Sequence, residues 1–113
     1  MKHILSNSFH EVLRFDLGEE VVEGLKNFCE ENKIDSGWIS GLGSAKGIEL
    51  GFYELDKKEF ERKTFNEITE VNDMAGNVAM MDGEAVIHVH GTFGKDDFSV
   101  IGGHIFKLIT NAT

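Results

Sequence analysis

Between residues 19 and 32 the apolar positions are Val21, Val22, Leu25, Phe28 and Cys29, and Glu and Lys fill much of the remainder. Those offsets place the apolar residues on one face of an α-helix. Ahead of them, Asp16-Leu17-Gly18-Glu19 offers an acceptor followed three residues later by Glu, the pattern of a capping box. Residues 9–15 are short and apolar-rich and read as a strand. After the helix the texture changes. Residues 34–48 contain four glycines, so this stretch reads as a strand broken by bends or bulges. Residues 48–55 and 59–67 flank Asp56-Lys57-Lys58, a hairpin loop. Residues 68–74 and 77–81 read as segments separated by Ala75-Gly76. Asp82-Gly83 is a strong two-residue hairpin signal. It leads into a strand over residues 85–93, a tight Gly94-Lys95-Asp96-Asp97 turn, and a last strand over residues 98–109. One strand, one long helix and a run of strands on short turns predict an α+β domain, a mostly antiparallel sheet with one main helix packed on it.

Composition narrows the picture without changing it. The chain has 113 residues, which fits a single domain over residues 1–113. Twenty acidic against eleven basic residues give a net charge of −9, which opposes approach to nucleic acid or anionic lipid. No basic patch offsets it, since Lys57-Lys58 and Arg62-Lys63 are interleaved with Glu59 and Glu61. The one cysteine, Cys29, falls on the apolar side of the helix and reads as core filler. A chain that cannot form an internal disulfide suits a reducing cytoplasm. No apolar run approaches the roughly 18–20 residues a membrane span needs, and the opening MKHILSNSFHEVLRFD does not read as a signal peptide. There is no proline, so Gly, Asn and Asp must make the turns. SGLGSAKG lacks both phosphate-loop glycine spacings, and neither Ser40 nor Ser44 is marked as a nucleophile. Trp38 and the nine phenylalanines read as core, because no basic residues interleave with them.

The stretch AVIHVHGTFGKDDFSVIGGH carries the candidate chemistry. Side chains alternate along a strand, so His88 and His90 share a face with Cα atoms roughly 6.5 Å apart. Imidazoles so spaced can converge on one ion at Zn–N distances of about 2.0–2.1 Å. His104 lies on the return strand. A three-residue loop over residues 95–97 sets His88 opposite His104 on the same face. A four-residue loop slips the register by one and turns His104 away, unless a bulge at Gly102-Gly103 restores it. Three histidines with an open fourth position are the ligand set of a catalytic zinc. Glu70, Asp73 and Glu84 are the carboxylates available to orient the imidazoles. The competing reading is of ordinary hydrogen-bonded strand histidines. His3 and His10 have no partner in view and read as surface residues.

With those motifs in place, the chain resembles the PPC domain, conserved between plants and prokaryotes, in its stand-alone prokaryotic form. The resemblance runs over nearly the whole chain: Gly18-Glu19 opening the helix, Ile39-Ser-Gly-Leu-Gly43, Leu50-Gly-Phe-Tyr53, Glu70, Gly76-Asn77, His88-Val-His90 and Gly102-Gly-His104. It implies a helix packed on an antiparallel-rich sheet, a homotrimer, and a distant fold relationship to α-acetolactate decarboxylase, whose zinc is held by a similar H-x-H and a later histidine. Carried over, His88, His90 and His104 match the metal-site histidines. Plant members lack them and keep the fold. The family is commonly described as DNA-binding, but in plant members a separate AT-hook grips the minor groove, and this chain has no such proline-containing core. PPC domains normally carry another strand and tail after the segment matching residues 106–113. Their absence here predicts an open sheet edge.

Three functions compete on these grounds. The first is a small trimeric binding or regulatory module, docking a protein or small ligand, with the metal of its three-histidine zinc site in a structural role. The second is a zinc-dependent lyase or hydrolase acting on a small anionic substrate, with Glu70 as candidate proton-transfer residue. The third is direct DNA binding, which the charge opposes. Imidazole ligands suit Zn, Cu, Ni or Fe alike.

Overall fold

The computed structural model describes residues 1–113 as six strands and one helix: β1 (Lys2–Ser6), β2 (Glu11–Arg14), α1 (Val21–Glu31), β3 (Gly37–Glu54), β4 (Glu59–Met81), β5 (Glu84–Gly94) and β6 (Val100–Thr110). The expected α+β class, mostly antiparallel with one helix, is what the chain adopts. The helix buries Val21, Leu25, Phe28 and Cys29 on one face, as their spacing predicts. Its cap differs from expectation. The Glu19 carboxylate does accept the Asp16 N–H, at 2.7 Å, but this closes a turn ahead of the helix. Glu20 is the cap, and its carboxylate accepts the Val22 and Glu23 N–H groups.

The sheet closes on itself as a barrel in the order β3-β4-β5-β6, with β3 hydrogen-bonded to β6. Residues 34–48 behave as their glycines predict. β3 is continuous from Gly37 but slips register between Gly41 and Gly43 and again between Lys46 and Ile48. Ala75-Gly76, by contrast, is not a break. β4 runs straight through it, with Gly76 paired to Ile39 on one side and Val89 on the other. A Cβ there would lie 1.9 Å from the His88 carbonyl oxygen, so glycine marks a close approach of strands rather than a turn. Asp82-Gly83 forms the expected hairpin turn, with φ of 53° and 82°. β1, which the sequence pattern did not show, pairs with β2 as a separate two-stranded sheet.

β6 bonds to β5 through residues 100–104 and to β3 through residues 104–110. Where β6 and β5 part, α1 fills the gap. Leu108 N–H donates to the Glu20 carboxylate at 2.9 Å, and Ala85 N–H to the Glu30 carboxylate at 3.0 Å. The Thr110 N–H and C=O bond to Glu19 and Gly18. Residues 106–110 are therefore covered on both sides. The unpartnered stretch is the start of β3, where β6 pairs only from Ala45 onward. The main core gathers Val21 and Leu25 of the helix with Ile48, Val89, Phe93 and Ile105 of the barrel. Only part of the aromatic content joins it. Phe28 and Phe93 are buried, whereas Trp38, Phe9, Phe52, Phe60 and Phe98 are exposed, contrary to the core reading. Trp38 lies opposite Asn77 on the outer face of the barrel, where alternation along β3 carries it.

Candidate metal centre

β5 buries Val89, Gly91 and Phe93, so His88 and His90 must project from the opposite, outer face. The loop to β6 spans residues 95–99 and pairs Gly94 with Val100, which sets His90 directly opposite His104. The sequence allows a three- or a four-residue loop. The actual loop has the parity of the three-residue one, so the three histidines share a face without a bulge. The partner of His104 shifts from His88 to His90. The two extra loop residues are Phe98 and Ser99, and the Asp97 carboxylate accepts from the backbone N–H and hydroxyl of Ser99.

One ligand atom from each of His88, His90 and His104 lies within 4.8 Å of the others. The Nε2 atoms of His88 and His90 are 3.2 Å apart. A tetrahedral ion with bonds of 2.0–2.1 Å has ligand–ligand edges of about 3.3–3.4 Å, so this pair is already at coordination spacing. Nδ1 of His104 is buried without a hydrogen-bond partner, an orphan that a metal, or a hydrogen-bond partner set by the tautomer, would satisfy. Burial pushes the His104 imidazole below the ordinary histidine range, and His88, His90 and Arg62 push it further the same way. The neutral form it favours is the one that ligates metal. The donor set and spacing therefore fit a divalent ion.

The carboxylates expected around the histidines are elsewhere. Glu70 pairs with Gly94 at the far end of β5, roughly 15 Å along β4 from the residue opposite His90. Asp73 lies opposite Thr92 without a bond to any imidazole, and Glu84 faces Lys26 at 3.8 Å. What borders the cluster instead is aromatic and cationic. Phe60 and Phe106 pack on His104 with centroids at 4.8 and 4.5 Å. The Arg62 guanidinium lies 3.7 Å from the centre of the Phe106 ring. Glu49 holds Arg62 through two bonds, Nε–Oε2 at 3.1 Å and Nη2–Oε1 at 2.8 Å. The guanidinium in turn holds the Glu49 carboxyl below the usual carboxylate value. This wall was missed in the sequence because it depends on the β3–β4 register.

His3 and His10 are exposed, as expected. His3 bonds to Glu11 and meets Phe28 edge-on. Cys29 is buried, and burial raises its thiol pKa, in keeping with core filler. A cavity of about 440 Å³ opens between α1, β2 and the start of β3, but none of the three clustered histidines lines it. No helix is long and apolar enough to cross a membrane.

Comparison with known proteins finds relatives of the same fold. The model of the Plants and Prokaryotes Conserved (PCC) domain matches residues 7–113. A plant- and prokaryote-conserved (PPC) protein from Pyrococcus horikoshii is 32% identical, with a TM-score of 0.84 over 87% of this chain and 68% of its own. A metal-containing protein from Archaeoglobus fulgidus is 36% identical, with a TM-score of 0.83 over 88% of this chain and 71% of its own. A candidate DNA-binding protein from Bacteroides thetaiotaomicron is 34% identical, with a TM-score of 0.83 over 86% and 68%. No curated protein matches the chain.

Proposed function

Because this chain belongs to the Plants and Prokaryotes Conserved domain family, we propose that it is a small homotrimeric binding module whose working centre is a divalent metal such as zinc on His88, His90 and His104. The observation that carries this reading is the convergence of three imidazoles from two paired strands, two of them already at coordination spacing. The resemblance to an archaeal protein named for the metal it contains supports it. The cluster has three protein ligands, and His88 and His90 are exposed. That leaves a fourth position for a small exchangeable ligand, as in sites where metal meets substrate. An ion so held polarises a bound oxygen and lowers its pKa. The same open position favours, as second reading, a zinc-dependent lyase or hydrolase for a small anionic substrate. Glu70 is too remote to serve it without a rearrangement. The zinc content of tag-free protein beside a His88→Ala/His90→Ala variant is the test.

Threefold assembly belongs to the same proposal. Trp38, Leu42 and Phe98 are 92%, 85% and 93% exposed, and Phe52, Ile68 and Val100 are exposed as well. Large apolar surface of this kind is what subunit contacts cover. Sedimentation is expected to show a species of about 38 kDa, three times the 12.6 kDa chain. A species at the mass of one chain alone would end the trimer.

DNA association draws support from relatives named as candidate DNA-binding proteins. The net charge of −9 opposes the phosphate contacts that dominate such binding. At low salt, tens of micromolar protein is expected to leave a random duplex unshifted in a gel. Retention that weakens steeply with added salt would instead establish DNA as a partner.

A further inference from the structure

The geometry points to Arg62 as the anion-recognising arm of the histidine site, selecting small carboxylic acids that carry a second oxygen for the metal. The inference rests on the metal reading above and names the ligand class for that centre. Arg62, Gly51, His104 and His90 form one continuous cross-strand row, β4 to β3 to β6 to β5. Cross-strand partners share a face, so the arginine and the histidines project to the same side. Gly51 keeps the row open. A Cβ there would lie 2.3 Å from the Phe106 ring and 3.0 Å from Phe60, so only glycine lets these rings fold over it. The guanidinium is 3.7 Å from the Phe106 centroid, and that ring is 4.5 Å from His104. The two contacts together confine the guanidinium carbon to within about 8 Å of the imidazole centre.

The arginine is also pre-oriented with donors to spare. Glu49 takes the Nε–H and one Nη2–H. Of the five N–H groups of a guanidinium, three remain, including the end-on pair whose fork matches a carboxylate. Stacking on Phe106 and pairing with Glu49 fix the plane of that fork, so little freedom is lost when a ligand arrives. Charge fits as well. Glu49 balances Arg62, so a metal on three neutral imidazoles keeps its positive charge for an anion. A ligand placing its carboxylate on Arg62 and its hydroxyl or carbonyl oxygen on the metal satisfies both ends.

The test uses Co2+-loaded protein, whose visible spectrum reports both the metal and any ligand that reaches it. Glycolate, 3-hydroxypropionate and 4-hydroxybutyrate span three separations between carboxylate and hydroxyl. At least one is expected to perturb the spectrum and to bind about 10- to 100-fold more weakly to Arg62→Gln, the loss of one charge-assisted fork. Its neutral amide is expected to bind wild type and variant alike. Glu49→Gln leaves the arginine charged but unheld, with an expected loss of about threefold or more, and it decides the matter alone if Arg62→Gln does not fold. Unchanged affinity for all three acids in the folded variants, with the Co2+ spectrum intact, overturns the arginine arm and leaves the metal site standing. Failure of the wild type to bind Co2+ overturns the metal reading and the arm with it.

Discussion

Tag-free protein incubated with zinc and passed through a desalting column is expected to retain about one zinc per chain, and His88→Ala/His90→Ala none. The expectation follows from how little the site must move. The Nε2 atoms of His88 and His90 already stand 3.2 Å apart, and the farthest ligand atom lies within 4.8 Å. Closing that last gap needs side-chain rotation on strands fixed by the barrel ladder. The same measurement has a thermodynamic arm. A ligand that binds only the folded chain at about 100 times its Kd adds about 2.7 kcal/mol, which for a domain of this size raises Tm by about 10 °C or more. Zinc should produce that rise in the wild type and leave the double variant unmoved. Proton competition has a definite sign. The folded chain holds the His104 pKa below its ordinary 6.5. The unfolded chain therefore takes up a proton that the folded chain refuses. Metal-free protein should lose stability as pH falls from that ordinary value toward the lowered one, and the loss should level off below it. Zinc retained equally by wild type and variant, or by neither, would sink the site.

The sequence showed the ligands but not their surroundings, and the difference is one of register. Alternation makes His88 and His90 neighbours on one face whatever the rest of the fold does. The third histidine depended only on the parity of one loop, and a five-residue loop has the same parity as a three-residue one. The wall beside the site lacked that protection. The Asp56-Lys57-Lys58 loop read from the sequence would pair Leu55 with Glu59 and Gly51 with Lys63. The actual loop also takes in Leu55, so Glu54 pairs with Glu59 and Gly51 with Arg62. One residue of loop length thus decides whether Arg62 or Lys63 shares a face with His104. The helix was legible because five apolar positions repeat its period. β1 was not, because all five of its residues are exposed and no alternation marks them. Closure of the sheet was not legible either. It depends on β3 being long enough to bond β4 along its whole length and β6 along part of it, and the bulges that allow this look like interruptions in sequence.

Gly76→Ala is expected to cost at least about 4 kcal/mol, the range reserved for changes the structure cannot absorb, and to take metal binding with it. In sequence the glycine resembles a break between two strands, and the physical reason it is not one sets the size of the effect. Gly76 is in the middle of β4 with Ile39 of β3 and Val89 of β5 on either side. An added Cβ would lie 1.9 Å from the His88 carbonyl oxygen and 2.7 Å from the Val89 Cα. Both are backbone atoms of a strand held by its own ladder, so no side chain can rotate away. Relief requires β4 and β5 to separate next to His88, and Val89, which β5 carries into the core, is fully buried. Gly37→Ala is the matched control. It lies in β3, and a Cβ there meets nothing within 4 Å. A change of that kind should stay within about 0.5 kcal/mol. Urea unfolding of both variants, followed by circular dichroism, gives the comparison. If Gly76→Ala unfolds at the same urea midpoint as Gly37→Ala and still binds zinc, β4 and β5 are not packed as closely at His88 as the barrel requires.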